Sequence, residues 1–245
     1  MELGNLEEAK ERRPYGWLSP EYNRSRRVEL DRRHLEKNRV VANVHDAAEL
    51  EAFKMLRTQV LQAAAGRNCR TIVVTSPRRG EGKTLITVNL ALTFAREFSQ
   101  TVLLVDGDLK EQQVHKLLGY TSTRGLGEFL SGNAEFEDLI VWPGVEKLTV
   151  VSGGKSRKDS AELMNSPLMQ SLVIDLKNRY PDRCILFDAP PVLDTADVPS
   201  FAPLVDGIVL VMEAGRTSKK DIAAALKLLP AEKILGLVIN RYPCG

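Results

Sequence analysis

"VTSPRRGEGKTLITVNLALTF", residues 74–94, joins three unlike pieces: the end of a β-branched run, a glycine loop, and an apolar segment of helical character. A strand feeding a glycine loop that opens a helix is the local plan of a phosphate-binding loop. The glycines free the backbone to turn its N–H groups toward an anion, and the helix start adds its positive end. The usual spacing is G-x-x-x-x-G-K-[ST]. Counted back from Gly82, the first glycine falls on Pro77, and Arg78 and Arg79 follow it, so the motif is a variant. Gly80, Glu81, Gly82, Lys83 and Thr84 are the candidate nucleotide-binding residues. Lys83 has the reach for β- and γ-phosphate oxygens, and Thr84 has a hydroxyl suited to Mg²⁺.

The pattern continues outward from this run. A helix is predicted over 46–66, ending at Gly66, and "RTIVVTS" (70–76) is a strand. Further strands are read at "TVLLVD" (101–106), "KLTVVSGG" (147–154), "CILFDAPP" (184–191), "GIVLVMEAG" (207–215) and "ILGLVIN" (234–240). Between them lie helical segments containing "VHKLLG", "LGEFLSG", residues 163–180 and "KKDIAAALKLL". The strands are continuously apolar, which predicts burial on both faces. Alternation with helices predicts an α/β P-loop fold: a mostly parallel sheet with helices on both faces and ligands at the carboxyl ends of the strands. Two strands end there in aspartate. Asp106 closes "VLLVD", with Asp108 two residues on, and Asp188 closes "CILFD". Hard oxygens just past apolar strands suit Mg²⁺ on a nucleotide, and Asp108 is placed to orient or deprotonate an attacking hydroxyl.

Composition sets the outer limits. The chain has 245 residues, 43% hydrophobic and 27% charged, enough for one full core under an ordinary soluble surface. A net charge of +2 gives no general field for nucleic acid. Three scattered cysteines make neither a disulfide framework nor a metal motif, which fits a reducing compartment. No stretch is apolar for the roughly 18 residues of a membrane helix, so any membrane link is expected through a partner. Residues 1–45 read as a charged, flexible arm and 46–245 as the nucleotide-binding domain. The first forty residues carry ten Lys or Arg against eight Asp or Glu and few aliphatics, too little to fold alone.

The runs "SPRRGEGKTLITVNLALTFA", "VLLVDGDLK" and "ILFDAPPV" resemble the three Walker motifs of the bacterial tyrosine kinases, a P-loop family that accompanies capsule and exopolysaccharide synthesis. "GLGEFLSG" (125–132), "SAELMNSPLM" (160–169) and the closing strands extend the resemblance over about 49–242. It implies an ATP- and Mg²⁺-dependent protein-tyrosine kinase, cytoplasmic and peripheral to the inner membrane. The partner it implies is a membrane chain-length-determining or adaptor protein. By the same resemblance, Lys83, Asp106, Asp108 and Asp188 form the catalytic set, and Thr84, Asp106 and Asp188 hold the metal directly or through water. Asn240 contacts adenine. Glu51, Lys54 and Arg57, in "EAFKMLR", serve subunit assembly into a homo-oligomer.

The departures are as informative. Arg79 stands where the family has proline, and Lys110 where its second motif, D-x-D-x-R, ends in arginine. Arg78 lies where related partition ATPases carry a lysine that acts across a dimer; it is read either as such a cationic finger or as a solvent-facing residue. The family's C-terminal tyrosine cluster is missing, with Tyr242 alone near the end, so Tyr15 and Tyr22 in the arm are the expected acceptors. Two other readings stay open: a partition-type ATPase, and a nucleotide-dependent assembly subunit without catalysis.

Overall fold

The structure, a computed structural model, describes residues 25–41, 49–97, 100–179 and 182–242. Its frame is an eight-stranded sheet in the order β1-β4-β5-β3-β6-β2-β7-β8. The strands are β1 (Arg26–Arg27), β2 (Thr71–Thr75), β3 (Thr101–Asp106), β4 (Ile140–Trp142), β5 (Leu148–Val151), β6 (Arg183–Asp188), β7 (Gly207–Glu213) and β8 (Ile234–Asn240). All neighbouring pairs are parallel except β4 with β5, so β1 and β4 run against the other six.

Each predicted strand is present, and alternate residues feed two separate cores. Val74, Leu104, Leu186 and Val209 face one side; Val73, Leu103, Phe187 and Ile208 face the other. Helix α3 (Lys83–Phe94) fills the first side, with ten of its twelve residues buried. A helix apolar all round must lie between layers, and α2 (Glu49–Ala64) covers it from outside. The helix expected over 163–180 is two, α6 (Ser160–Met164) and α7 (Pro167–Arg179), because proline cannot continue a helix but readily starts one.

Two expectations are corrected. β8 is an edge strand rather than one buried on both faces: Leu237 and Ile239 are exposed, and Tyr242 just beyond is 70% exposed. Position in the sheet order, which composition does not carry, decides this. Within the supposed arm, residues 25–41 are docked on the domain. β1 extends the sheet along β4, and the Arg27 guanidinium lies 5.3 Å from the Trp142 ring centroid. Helix α1 (Arg32–Lys37) is capped by Asp31, which accepts from Arg33 N at 3.0 Å. Leu35 and Val40 are fully buried, and Asn89 Nδ2 donates to Arg39 O at 3.1 Å. A segment too polar to fold alone can still dock where a finished core offers a strand edge and an apolar recess.

This docking predicts that Leu35→Ala costs about 2–4 kcal/mol of unfolding free energy, the price of emptying a buried site. Urea titration measures it, and a midpoint unchanged from the parent would show that the segment is not held.

Candidate functional site

Parallel register brings β2, β3 and β6 to one sheet edge together. Val74 and Asp106 both pair with Asp188, so the three strands finish level. The phosphate loop leaves β2 there and is shaped from within. Ser76 Oγ donates to Arg78 O at 2.7 Å, and Arg78 N donates to Glu81 Oε2 at 2.8 Å. Thr217 Oγ1 donates to Glu81 Oε1, and Asn240 Nδ2 donates to Glu81 O at 2.9 Å. Glu81 is 1% exposed. Its carboxylate is therefore the internal brace of the loop, a role its place in the motif did not reveal. Gly82 has φ +91°, and a Cβ there would lie 2.1 Å from Asn240 Nδ2. Only glycine fits, for backbone and for space.

The helix that follows delivers Lys83 and Thr84 to the strand ends. Lys83 Nζ lies 3.0 Å from Asp108 Oδ2 and 3.6 Å from Asp188 Oδ2. Thr84 Oγ1 donates to Asp188 Oδ2 at 2.7 Å, and Thr87 Oγ1, one turn on, donates to Asp188 Oδ1 at 3.2 Å. Asp106 sits behind this group. Its Oδ1 accepts from Asp108 N at 3.3 Å, and its Oδ2 accepts from Gln113 N and Val114 N at 3.1 Å each. It thereby also starts α4 (Val114–Leu118).

Charge is unbalanced in this buried setting. Burial and then the neighbouring Asp188 push the Asp106 carboxyl well above the ordinary carboxylate value. Burial raises Asp188 as well, with Lys83 and Thr84 pulling the other way. Burial alone would lower the Lys83 ammonium, but Asp188 and Asp108 outweigh it, and the lysine stays charged. A cleft of about 270 Å³ opens over the group, bounded by Gly82, Lys83, Thr84, Asp108, Pro191 and Arg241. A larger hollow of about 380 Å³ lies at the opposite end of the strands, beside Cys69, Arg183 and Cys184. Among the described residues its charged lining is Arg70, Asp182 and Arg183, with a single carboxylate, and ligands of such sheets bind at the carboxyl ends. Among the described residues, no group of three or more His, Cys, Asp or Glu is arranged to hold a metal by itself. The donors fit a cation that brings phosphate oxygens with it, as Mg²⁺ on a nucleotide does.

The remaining sequence candidates are distributed as follows. Asn240 braces the loop through Glu81 and accepts from Arg241 N at 2.9 Å. Arg78 is half exposed, yet its guanidinium is held at 3.0 Å by both Asp194 and Asp221, which raise its pKa. Arg79 pairs with Glu111. Glu51 and Lys54 pair with each other on the exposed face of α2. Arg57 turns inward instead, to Glu97 Oε1 at 2.9 Å and Thr93 O at 3.2 Å. Tyr15 and Tyr22 lie outside the described residues. Sequence reading passed over Thr87, although its i+3 spacing from Thr84 was a usable signal; Asp194 and Asp221 carried none.

The family described as CbiA, the CobQ/CobB/MinD/ParA nucleotide binding domain, matches residues 72–243. Tyrosine-protein kinase YwqD of Bacillus subtilis (strain 168) is 30% identical over 208 residues, covering 84% of this chain and 86% of that protein. The succinoglycan biosynthesis transport protein ExoP of Rhizobium meliloti (strain 1021) is 30% identical over 209 residues, 83% of this chain and 26% of that protein. Among solved structures, the chimerical protein CapA2B2 superposes with a TM-score of 0.77 at 25% identity, covering 89% of this chain and 93% of that one.

The raised carboxyls predict a pH dependence. Their folded pKa values lie above the ordinary 3.8. Without Mg²⁺ and nucleotide, their contribution to stability is full below the unfolded value and is lost as pH rises through the folded one. Measured by urea unfolding against Asp106→Asn, the parent is expected to lose ground as pH increases across that window. Parallel pH profiles would show that this carboxyl is not raised.

Proposed function

We infer, from the premise that the chain belongs to the bacterial tyrosine kinases and carries the CobQ/CobB/MinD/ParA nucleotide-binding domain, that it is an ATP-dependent protein-tyrosine kinase of exopolysaccharide synthesis or export. The observation that carries this reading is the convergence of Lys83, Thr84, Asp108 and Asp188 at the ends of adjacent strands. In this reading Gly80, Gly82 and the start of α3 offer backbone N–H groups to the phosphates. Lys83 leaves Asp108 and neutralises β- and γ-phosphate oxygens. Thr84 and Asp188 would hold Mg²⁺ with the phosphates, and Asp106 would keep the loop behind them in place. The metal would draw charge from the oxygens between which the phosphoryl group moves. Asp108, freed of Lys83, accepts the proton of the tyrosine hydroxyl. The phenolic oxygen forms the new P–O bond as the bond to ADP breaks. Asn240, beside the loop, is the candidate adenine contact.

For the acceptor we propose the tyrosines of the leading segment, Tyr15 and Tyr22. Tyr120 is 9% exposed and bonded to Ser152, so it is poorly suited to enter a neighbour's cleft; Tyr242 is exposed and is the competing acceptor. No helix among the described residues is long and apolar enough to cross a membrane. The reading therefore includes docking on a membrane adaptor at the cytoplasmic face. It also includes self-association through the face of α2 that exposes Glu51, Lys54 and Met55, with Arg57 bracing that helix on α3.

Incubation with ATP and Mg²⁺, with and without the cytoplasmic tail of an adaptor, followed by mass spectrometry, is expected to find phosphotyrosine at Tyr15 or Tyr22. Lys83→Met is expected to abolish it while the far-ultraviolet circular dichroism is kept. Phosphate on Tyr242 alone would move the acceptor. Hydrolysis without phosphotyrosine would favour a partition-type ATPase, and binding without turnover a non-catalytic assembly subunit.

A further inference from the structure

Asp197 begins the short helix α8 (Asp197–Phe201) and is 1% exposed. Its Oδ1 meets the Lys110 ammonium at 3.3 Å, while its Oδ2 is buried and has no hydrogen-bond partner among the described residues. A buried carboxylate served at one oxygen only is costly, and such a group calls for a reason. The position of its partner supplies one. Lys110 follows Asp108 by two residues, and Asp197 follows Asp188 by nine. The pair thus ties together the two segments that carry the reacting carboxylates.

We infer that Lys110 and Asp197 form a positioning pair that sets the spacing of Asp108 from Asp188, and that Asp197 presents a two-oxygen seat for a guanidinium which lysine only half fills. Arginine carries two parallel N–H donors that match both carboxylate oxygens; the ammonium is a point charge that serves one. The rest of the segment has its own anchors. Gly107 N donates to Asp188 O at 2.7 Å, Arg157 N donates to Leu109 O at 2.8 Å, and Ser156 Oγ donates to Lys110 O at 2.9 Å. These fix the backbone on either side of Asp108, and the Lys110 side chain is the strut that reaches across to the segment after Asp188. The strut bears on the site because Lys83 spans both carboxylates, at 3.0 and 3.6 Å, with little tolerance for their drifting apart. The pair touches no substrate and acts only through Asp108 and Asp188.

The inference rests on the kinase reading for the rate that is measured. The test compares the full chain with Lys110→Met, Lys110→Gln and Lys110→Arg. Lys110→Met is expected to lower kcat for phosphoryl transfer roughly 10–100-fold, the usual effect of removing an outer support of a reacting group. KM for ATP and the affinity for ADP should stay within about threefold, since the phosphate loop is untouched. Lys110→Arg should keep at least the parent kcat and raise the melting temperature by about 2–4 °C through the second hydrogen bond. A Lys110→Met kcat equal to the parent's, or a loss matched by equal loss of ADP binding, would overturn the positioning role. A Lys110→Arg chain less active or less stable than the parent would overturn the two-oxygen seat. If Lys110→Met does not fold, Lys110→Gln and Lys110→Arg carry the comparison. A parent that forms no phosphotyrosine contradicts the kinase reading, not the strut, because the same ratios are then read on ATP hydrolysis.

Discussion

The Lys83 ammonium lies within 3.6 Å of both Asp108 and Asp188, with Asp106 behind them, and all three carboxylates are buried. One positive charge cannot balance three negative ones there, and the protein manages the excess in separate ways. Asp106 is surrounded by backbone donors and becomes part of the scaffold. Asp188 takes two threonine hydroxyls from α3. Asp108 accepts from Glu111 N at 3.0 Å and otherwise depends on the lysine. What remains is a negative surplus facing a cleft, beside a helix start and a glycine loop that favour anions. Phosphate oxygens and a divalent cation together satisfy both demands, and neither does so alone.

That charge arrangement depends on the loop being rigid before a ligand arrives. Glu81 binds Arg78 N and Thr217 through its carboxylate and Asn240 through its carbonyl, so the loop is tied to the turn after β7 and to the end of β8. The two arginines that replace commoner residues of the motif add outer ties, to Asp194, Asp221 and Glu111. An Arg78 that served a neighbouring subunit would first have to leave two carboxylates. The arginines therefore act at rest as braces of the phosphate loop.

Much of this was legible in the chain. Continuous apolar runs ending in Thr75, Asp106 and Asp188 marked three parallel strands with a common ligand edge, and the glycine loop marked the anion site between them. These features are local in sequence, so local patterns reveal them. Contacts made across the fold were not legible. The docking of Leu35 and Val40, the reversed β4, and the bond from Asn240 to Glu81 all join residues far apart in the chain. Arg57 shows the same limit. The resemblance pointed to subunit assembly, and nothing local in the sequence showed that Glu97 and Thr93 of its own domain hold it. Composition judged 1–45 by whether it could fold alone, whereas 25–41 needed only a surface to fold against.

If the buried carboxylates and Lys83 form a seat for a nucleotide together with its metal, the two must bind cooperatively. Titration calorimetry of ADP, with Mg²⁺ and with the metal removed by a chelator, tests it most directly. Mg²⁺ is expected to tighten ADP binding by about tenfold or more, and Asp188→Asn to lose most of this gain while keeping metal-free binding. Equal ADP affinity with and without Mg²⁺ in the parent would contradict it.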